Sequence, residues 1–213
     1  MEYFLAGKTP PTILTYFYAD VGGPEVPTLP SVASTQRQTR TEPVYVSQEE
    51  APRLTLDLFC DGACVNNGRR GAKAAFGLVV YQNGQEIAAA AEPLAAHETQ
   101  TNQRAELRGL NAALTYAQKA VAAGATTIRI YSDSEYAINC LTRWATGWSR
   151  AGWRKADKTP VLHSDLIVPM YEAWNALRGY AFLQHVAAHT GRTDPLSLGN
   201  ARADELATSA LAR

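Results

Sequence analysis

The stretch Leu54-Thr-Leu-Asp-Leu-Phe-Cys60-Asp61-Gly62-Ala-Cys-Val-Asn66-Asn67-Gly68 decides the reading of this chain. Apolar and polar residues alternate from Leu54 to Cys60, which is the period of a strand. Leu54, Leu56, Leu58 and Cys60 share one face; Thr55, Asp57, Phe59 and Asp61 share the other. Asp61 and Gly62 stand where the strand is expected to stop. Asp61 is therefore expected as a carboxylate at the carboxyl end of a mostly buried strand. A lone buried carboxylate is unfavourable, so a cation beside it is expected.

Outward from this stretch the pattern is regular. Lys73–Tyr81 and Gln85–Ala91 are strand-like runs around Asn83-Gly84, a strong hairpin signal. A long helix follows, with Thr101 as N-cap and Gly124 as stop. Leu107, Leu110, Leu114, Ala117 and Val121 make its apolar stripe. Thr127–Ser132 reads as a strand ending at Asp133, then a helix to about Ala145. His163–Leu177 reads as helix, Tyr180–Ala187 as strand and Gly199–Leu211 as a last helix. The order predicts an α/β fold, a mixed five-stranded sheet flanked by helices on both faces.

Residues 1–53 differ in composition. They hold seven of the 11 prolines, and Ser31–Thr41 is polar without a period. This extension is expected to be largely extended or disordered, with Ile13–Tyr18 as a strand-like exception. The remaining chain, 54–213, is expected to be one domain.

Bulk properties exclude some classes. Lys plus Arg equals Asp plus Glu, 20 each, so overall charge does not point to a polyanionic partner. The charge is uneven, however. Arg143, Arg150, Arg154, Lys155 and Lys158 face Asp157 alone between residues 143 and 158, a local footprint suited to nucleic acid. Three cysteines, Cys60, Cys64 and Cys140, form no disulfide framework. Neither a signal segment nor an apolar run of about 20 residues is present. An intracellular protein, cytoplasmic or nuclear, with no membrane contact is expected.

Four acids are placed for one task. Asp61 and Asp133 end strands, and ligands in such sheets gather beyond the carboxyl ends of strands. Glu106 lies early in the long helix on the stripe that faces the sheet. Asp204 lies in the last helix. Four unpaired carboxylates repel strongly at low dielectric, and divalent cations remove the problem. All-oxygen ligands favour Mg²⁺ or Mn²⁺, and two such ions suit phosphodiester hydrolysis.

Phe59-Cys-Asp61-Gly, Thr101-Asn-Gln-Arg-Ala-Glu106, Tyr131-Ser-Asp133-Ser, His185-Val-Ala-Ala-His189-Thr-Gly and Asn200-Ala-Arg-Ala-Asp204-Glu-Leu-Ala together resemble type 1 ribonuclease H. The resemblance covers about Leu54 to Arg213. It is closer to the cellular eukaryotic catalytic domains, because of Asn67-Gly-Arg-Arg-Gly and the segment from Ile138 to Trp153. It implies an endonuclease that hydrolyses the RNA strand of RNA–DNA hybrids, leaving 5′-phosphate and 3′-hydroxyl ends. Asp61, Glu106, Asp133 and Asp204 would hold two Mg²⁺, with Mn²⁺ as a substitute. His189 would sit on a mobile loop and handle protons or help product leave. Asn67, Asn102 and Gln103 would touch 2′-hydroxyls. Trp148, Trp153 and Arg150 belong to a basic protrusion for the DNA strand, with Trp144 partly in the core. A monomer is expected.

Two positions depart from the family. Its DNA-phosphate pocket pairs Thr101 with an Arg and an Asn; here Thr99 and His163 stand in those places. His185 and His189 are four apart, but Val186 stands where a zinc helix would need Glu, so zinc is not expected. A retroelement ribonuclease H domain and a non-catalytic hybrid-binding protein are the alternative readings.

Overall fold

The computed structural model describes residues 54–212. The expectations for residues 1–53, Ile13–Tyr18 included, lie outside the described residues. Five strands form one sheet: β1 Thr55–Val65, β2 Lys73–Gln82, β3 Gln85–Pro93, β4 Thr127–Ser132 and β5 Ala181–His185. Their spatial order is β3-β2-β1-β4-β5. β2 runs antiparallel to β1 and β3, whereas β1, β4 and β5 are mutually parallel. Asn83 and Gly84 both have positive φ, 52° and 76°, as a two-residue hairpin turn with matching twist requires.

The first strand does not stop at Asp61. It pairs with β4 only as far as Phe59, opposite Tyr131, but stays paired with β2 to Val65, opposite Lys73. Asp61 therefore lies where the parallel neighbour ends, in the middle of a longer strand. The antiparallel partner satisfies the backbone beyond it, so Asp61 and Gly62 remain extended.

Five helices cover the sheet: α1 Asn102–Ala122, α2 Glu135–Asn139, α3 Ala145–Arg150, α4 Ser164–Ala176 and α5 Pro195–Ala210. Leu107, Leu110, Leu114 and Ala117 of α1 are buried against Leu56, Leu58, Ile128 and Ile130, together with Ile167 and Met170 of α4. α5 takes the opposite face, where Ala203 packs with Phe59, Val79 and Tyr131. The Thr101 hydroxyl accepts a hydrogen bond from the Arg104 amide at 3.4 Å, which caps α1 as expected. Among the described residues no helix is long and apolar enough to cross a membrane.

Two helices differ from the sequence expectation. The helix after Asp133 is interrupted by a π-helical turn at Cys140–Trp144. Ala137, Leu141 and Ala145 are all buried and recur every fourth residue. That interval outruns the α period, and a wider turn keeps all three pointing inward. The last helix begins at Pro195, not Gly199, because the Asp194 carboxylate accepts from the Leu196 and Ser197 amides, both at 3.1 Å. Pro195 at the first helical position needs no amide partner.

Main chain meets main chain most tightly at Gly62 and Gly77. A Cβ on Gly62 would collide with the Glu106 amide of α1, and one on Gly77 would collide with the Ala203 carbonyl of α5. Gly77 lies opposite Asp61 in the β1–β2 register. Neither neighbour is a side chain that can swing away. Gly77→Ala should therefore lower stability by ~2–4 kcal/mol, read from urea unfolding. A change within ~0.5 kcal/mol would mean α5 is not seated directly on the sheet.

Candidate active site

Asp61 in mid-β1, Glu106 in the second turn of α1 and Asp133 just past β4 converge. One carboxylate oxygen from each lies within 4.8 Å of the others. Asp61 and Glu106 are buried and Asp133 is half-buried. Each acid is held by a neighbour. The Gly62 amide donates to Asp61 Oδ1 at 2.7 Å. Asn102 Nδ2 donates to Glu106 Oε1 at 3.2 Å. Asn200 Nδ2 donates to Asp133 Oδ2 at 3.0 Å. Glu106 Oε2 and Asn200 Oδ1 are buried with no hydrogen-bond partner among the described residues.

Asp61 and Glu106 do not ionise freely here. Burial, then the charge of Asp133, pushes Asp61 up to about 7, with Asp204 adding to the rise and the Gly62 amide opposing it. Burial, then Asp61 and Asp133, pushes Glu106 up to about 9. A divalent cation is the group that lets all three carry charge together. The donor set is carboxylate oxygen throughout, which suits a hard ion, and the orphaned Glu106 Oε2 gives it a ready ligand.

Asp204 is not part of the group of three. Ala203 packs inward, and one residue along an α-helix turns about 100°. Asp204 therefore sits half-buried at the rim, where its charge still reaches Asp61. Its Oδ2 is 4.0 Å from Nδ1 of His189, whose side chain is 79% exposed. His189 has a positive φ of 47°. The expected convergence thus holds for three acids, with Asp204 and His189 as a pair beside them.

The expected substrate residues divide. Asn67 Oδ1 accepts from the Asn102 amide at 3.3 Å, tying the turn after β1 to the start of α1. Gln103 and Arg150 are exposed. The tryptophans reverse the expected order of burial. Trp148 and Trp153 pack against the main core, whereas Trp144 is 36% exposed. The rings of Tyr136, Trp144 and Trp148 form a tilted row, with centroids 6.2 and 5.6 Å apart.

At the position of the family's phosphate pocket stands a compensated ion network. Arg104 forks onto Asp165 at 3.1 and 2.6 Å and also donates to Glu98 at 2.9 Å. Arg108 binds the same Glu98, whose side chain is 2% exposed. His163 is buried with Nδ1 3.4 Å from Arg104 Nη1. Burial, then the Arg104 charge, holds its imidazole below the usual range, so it adds no cation near neutral pH.

Sequence reasoning did not single out Asn200 or Glu98. The signal for Asn200 was its place one turn before Asp204, on the face of α5 that meets β4. Nothing local marked Glu98, because its partners lie further along the chain.

A mixed sheet of this order, with acids from β1, α1 and the end of β4 at its centre, defines the ribonuclease H-like class. A family model described as RNase H matches residues 54–212. The chain belongs to the ribonuclease H family and is a type 1 enzyme of it. It is 34% identical over 160 residues to ribonuclease HI of Pseudomonas aeruginosa, covering 73% of this chain and 92% of that one. It is 35% identical over 149 residues to a probable ribonuclease H of Acanthamoeba polyphaga mimivirus, and spans 62% of that protein's length. The solution structure of the PFV RNase H domain shares the fold, with a TM-score of 0.62 at 22% identity over 75% of this chain and 96% of that one.

Asp61 and Glu106 bind protons more tightly in the folded than in the unfolded chain. From about pH 4 to about pH 9 unfolding releases those protons, so stability of the metal-free protein falls as pH rises. Glu106→Gln should flatten that slope and stabilise the metal-free protein at about pH 8 by ~1–3 kcal/mol. Thermal unfolding across pH, without metal and with Mg²⁺, reads this. Equal slopes for both proteins would show that Glu106 is not held protonated.

Proposed function

We propose that this chain hydrolyses the RNA strand of RNA–DNA hybrids, cutting internally and leaving 5′-phosphate and 3′-hydroxyl ends. The observation that carries the reading is the group of three carboxylates, two of them buried, with an orphaned Glu106 Oε2. Family membership supports it. So does the likeness in fold to a foamy viral protease-reverse transcriptase solved in complex with RNA/DNA hybrid, at 18% identity and a TM-score of 0.62.

Asp61, Glu106 and Asp133, with Asp204 at the rim, would hold two Mg²⁺, or Mn²⁺ in their place. When bound, such ions supply Lewis acidity at the scissile phosphate and at the attacking water. The chain's own residues do the rest. The Gly62 amide, Asn102 and Asn200 fix the rotamers of the three acids. His189, exposed beside Asp204, donates a proton to the leaving 3′ oxygen as its bond to phosphorus breaks, a role that suits imidazole near neutral pH.

Asn67, Asn102 and Gln103 lie together at the start of α1, and side-chain amides there can both donate to and accept from 2′-hydroxyls. Trp144 supplies the exposed aromatic face of the protrusion, with Arg150 for DNA phosphates. Trp148 backs that face from the core side, and Trp153 packs on the core beside Tyr171. The enzyme acts as a monomer in this reading. The Pseudomonas relative is almost wholly this domain, which favours a cellular enzyme over a retroelement fragment.

The test is a cleavage assay on hybrid, duplex RNA and duplex DNA in Mg²⁺. Wild type should cut only the hybrid's RNA strand. Asp133→Asn should lose at least ~10³-fold in rate while still binding hybrid. Equal rates for the two proteins, or equal cutting of duplex RNA, would remove this reading. Tight hybrid binding by wild type with no product in either metal would favour a binding protein.

A further inference from the structure

We propose that His185 is a positioning residue for Asp133, acting on its main chain. This rests on the reading of Asp133 as a metal ligand. β5 ends at His185, directly opposite Ser132 at the end of β4. The ladder makes one more bond, from the Val186 amide to the Ser132 carbonyl at 3.1 Å. The next carbonyl, that of Asp133, lies past the end of the strand pair. The His185 ring fills the gap, with Nε2 3.1 Å from Asp133 O. A side chain thus takes over where the main-chain ladder runs out.

The donor is fixed by chemistry. A carbonyl oxygen only accepts, so Nε2 carries the hydrogen. The neutral ring is then the Nε2–H tautomer, and the imidazolium donates from the same atom. The bond is therefore made in either charge state of the ring.

The bond matters because Asp133 sits in a short turn between strand and helix. The Ser134 amide donates to Ser132 Oγ at 3.1 Å, and Ser134 Oγ accepts from the Ala137 amide at 3.2 Å to cap α2. The first of those bonds holds the amide end of the Asp133–Ser134 peptide. His185 holds the carbonyl end of the same peptide, and Asn200 Nδ2 holds the Asp133 carboxylate at 3.0 Å. Turning that peptide would swing the carboxylate out of the group of three. His185 is exposed, so its role in packing is small. The two histidines spaced four apart face different acids: His185 serves Asp133, and His189 stands beside Asp204.

Three variants separate positioning from bulk. His185→Phe keeps a ring without a donor. His185→Gln places an amide donor about as far out as Nε2, and His185→Asn places one too short to reach. The readouts are kcat and KM on hybrid in Mg²⁺, and Mn²⁺ binding to the substrate-free protein by electron paramagnetic resonance titration. His185→Phe and His185→Asn should each lose about tenfold in kcat with KM within about twofold, and bind Mn²⁺ about tenfold more weakly. His185→Gln should recover both to within about threefold, and all variants should keep the wild-type shape of the pH–rate profile. Wild-type Mn²⁺ affinity in His185→Phe, or no advantage of Gln over Asn, overturns the proposal. If wild type binds Mn²⁺ and the Gln–Asn difference in binding holds, but hybrid is not cut, the proposed activity fails and the positioning role stands. If wild type binds no Mn²⁺, the ligand role of Asp133 falls and this proposal falls with it.

Discussion

Three acids in one partly dry pocket repel one another, and the centre of the molecule is arranged around that repulsion. Left alone, the pocket relieves it with protons, which is why Asp61 and Glu106 titrate far above ordinary carboxylates. Native folds tolerate such a conflict only where surrounding structure overrides it. Here the override comes from both cores of the sheet, one packed by α1 and α4 and the other by α5. The local destabilisation is the condition for binding a doubly charged ion tightly.

The means of holding the acids are mostly backbone and amide groups rather than cations. The Gly62 amide, Asn102 and Asn200 each donate to one acid. None of these donors neutralises a charge, so the pocket keeps its appetite for metal. The positive side chains nearby are engaged elsewhere. Arg104 and Arg108 are bound to Glu98 and Asp165, away from the three acids. Fixed cations among the carboxylates would have satisfied the pocket and removed its function.

Much of this was legible in the sequence, because period and punctuation carry local information. Alternation in β1, the stripe of α1, the Asn83-Gly84 turn and the Thr101 cap all report on neighbours a few residues away. The acids were readable as a set for a second reason: Asp133 follows the end of β4, and Asp61 lies where the pairing of β1 with β4 stops, so topology alone gathers them. What escaped depended on partners distant in the chain. The extension of β1 past Asp61 requires β2, which the residues around Asp61 do not announce. The early start of α5 is written in Asp194-Pro195, a cap followed by a first-turn proline, four residues ahead of Gly199. The reversed burial of Trp144 and Trp148 follows from a π-helical turn, whose extra residue shifts every later side chain round the axis. The rim position of Asp204 follows from which face of α5 meets the sheet, and spacing by itself does not fix that.

The glycine contacts have a consequence for how the pocket can move. Gly62 places the α1 main chain directly on β1, and Gly77 does the same for α5 on β2. Contacts of that kind contain no rotatable group, so the backbones that carry Asp61 and Glu106 are held at a fixed spacing. Any adjustment within the pocket is left to the carboxylate side chains themselves.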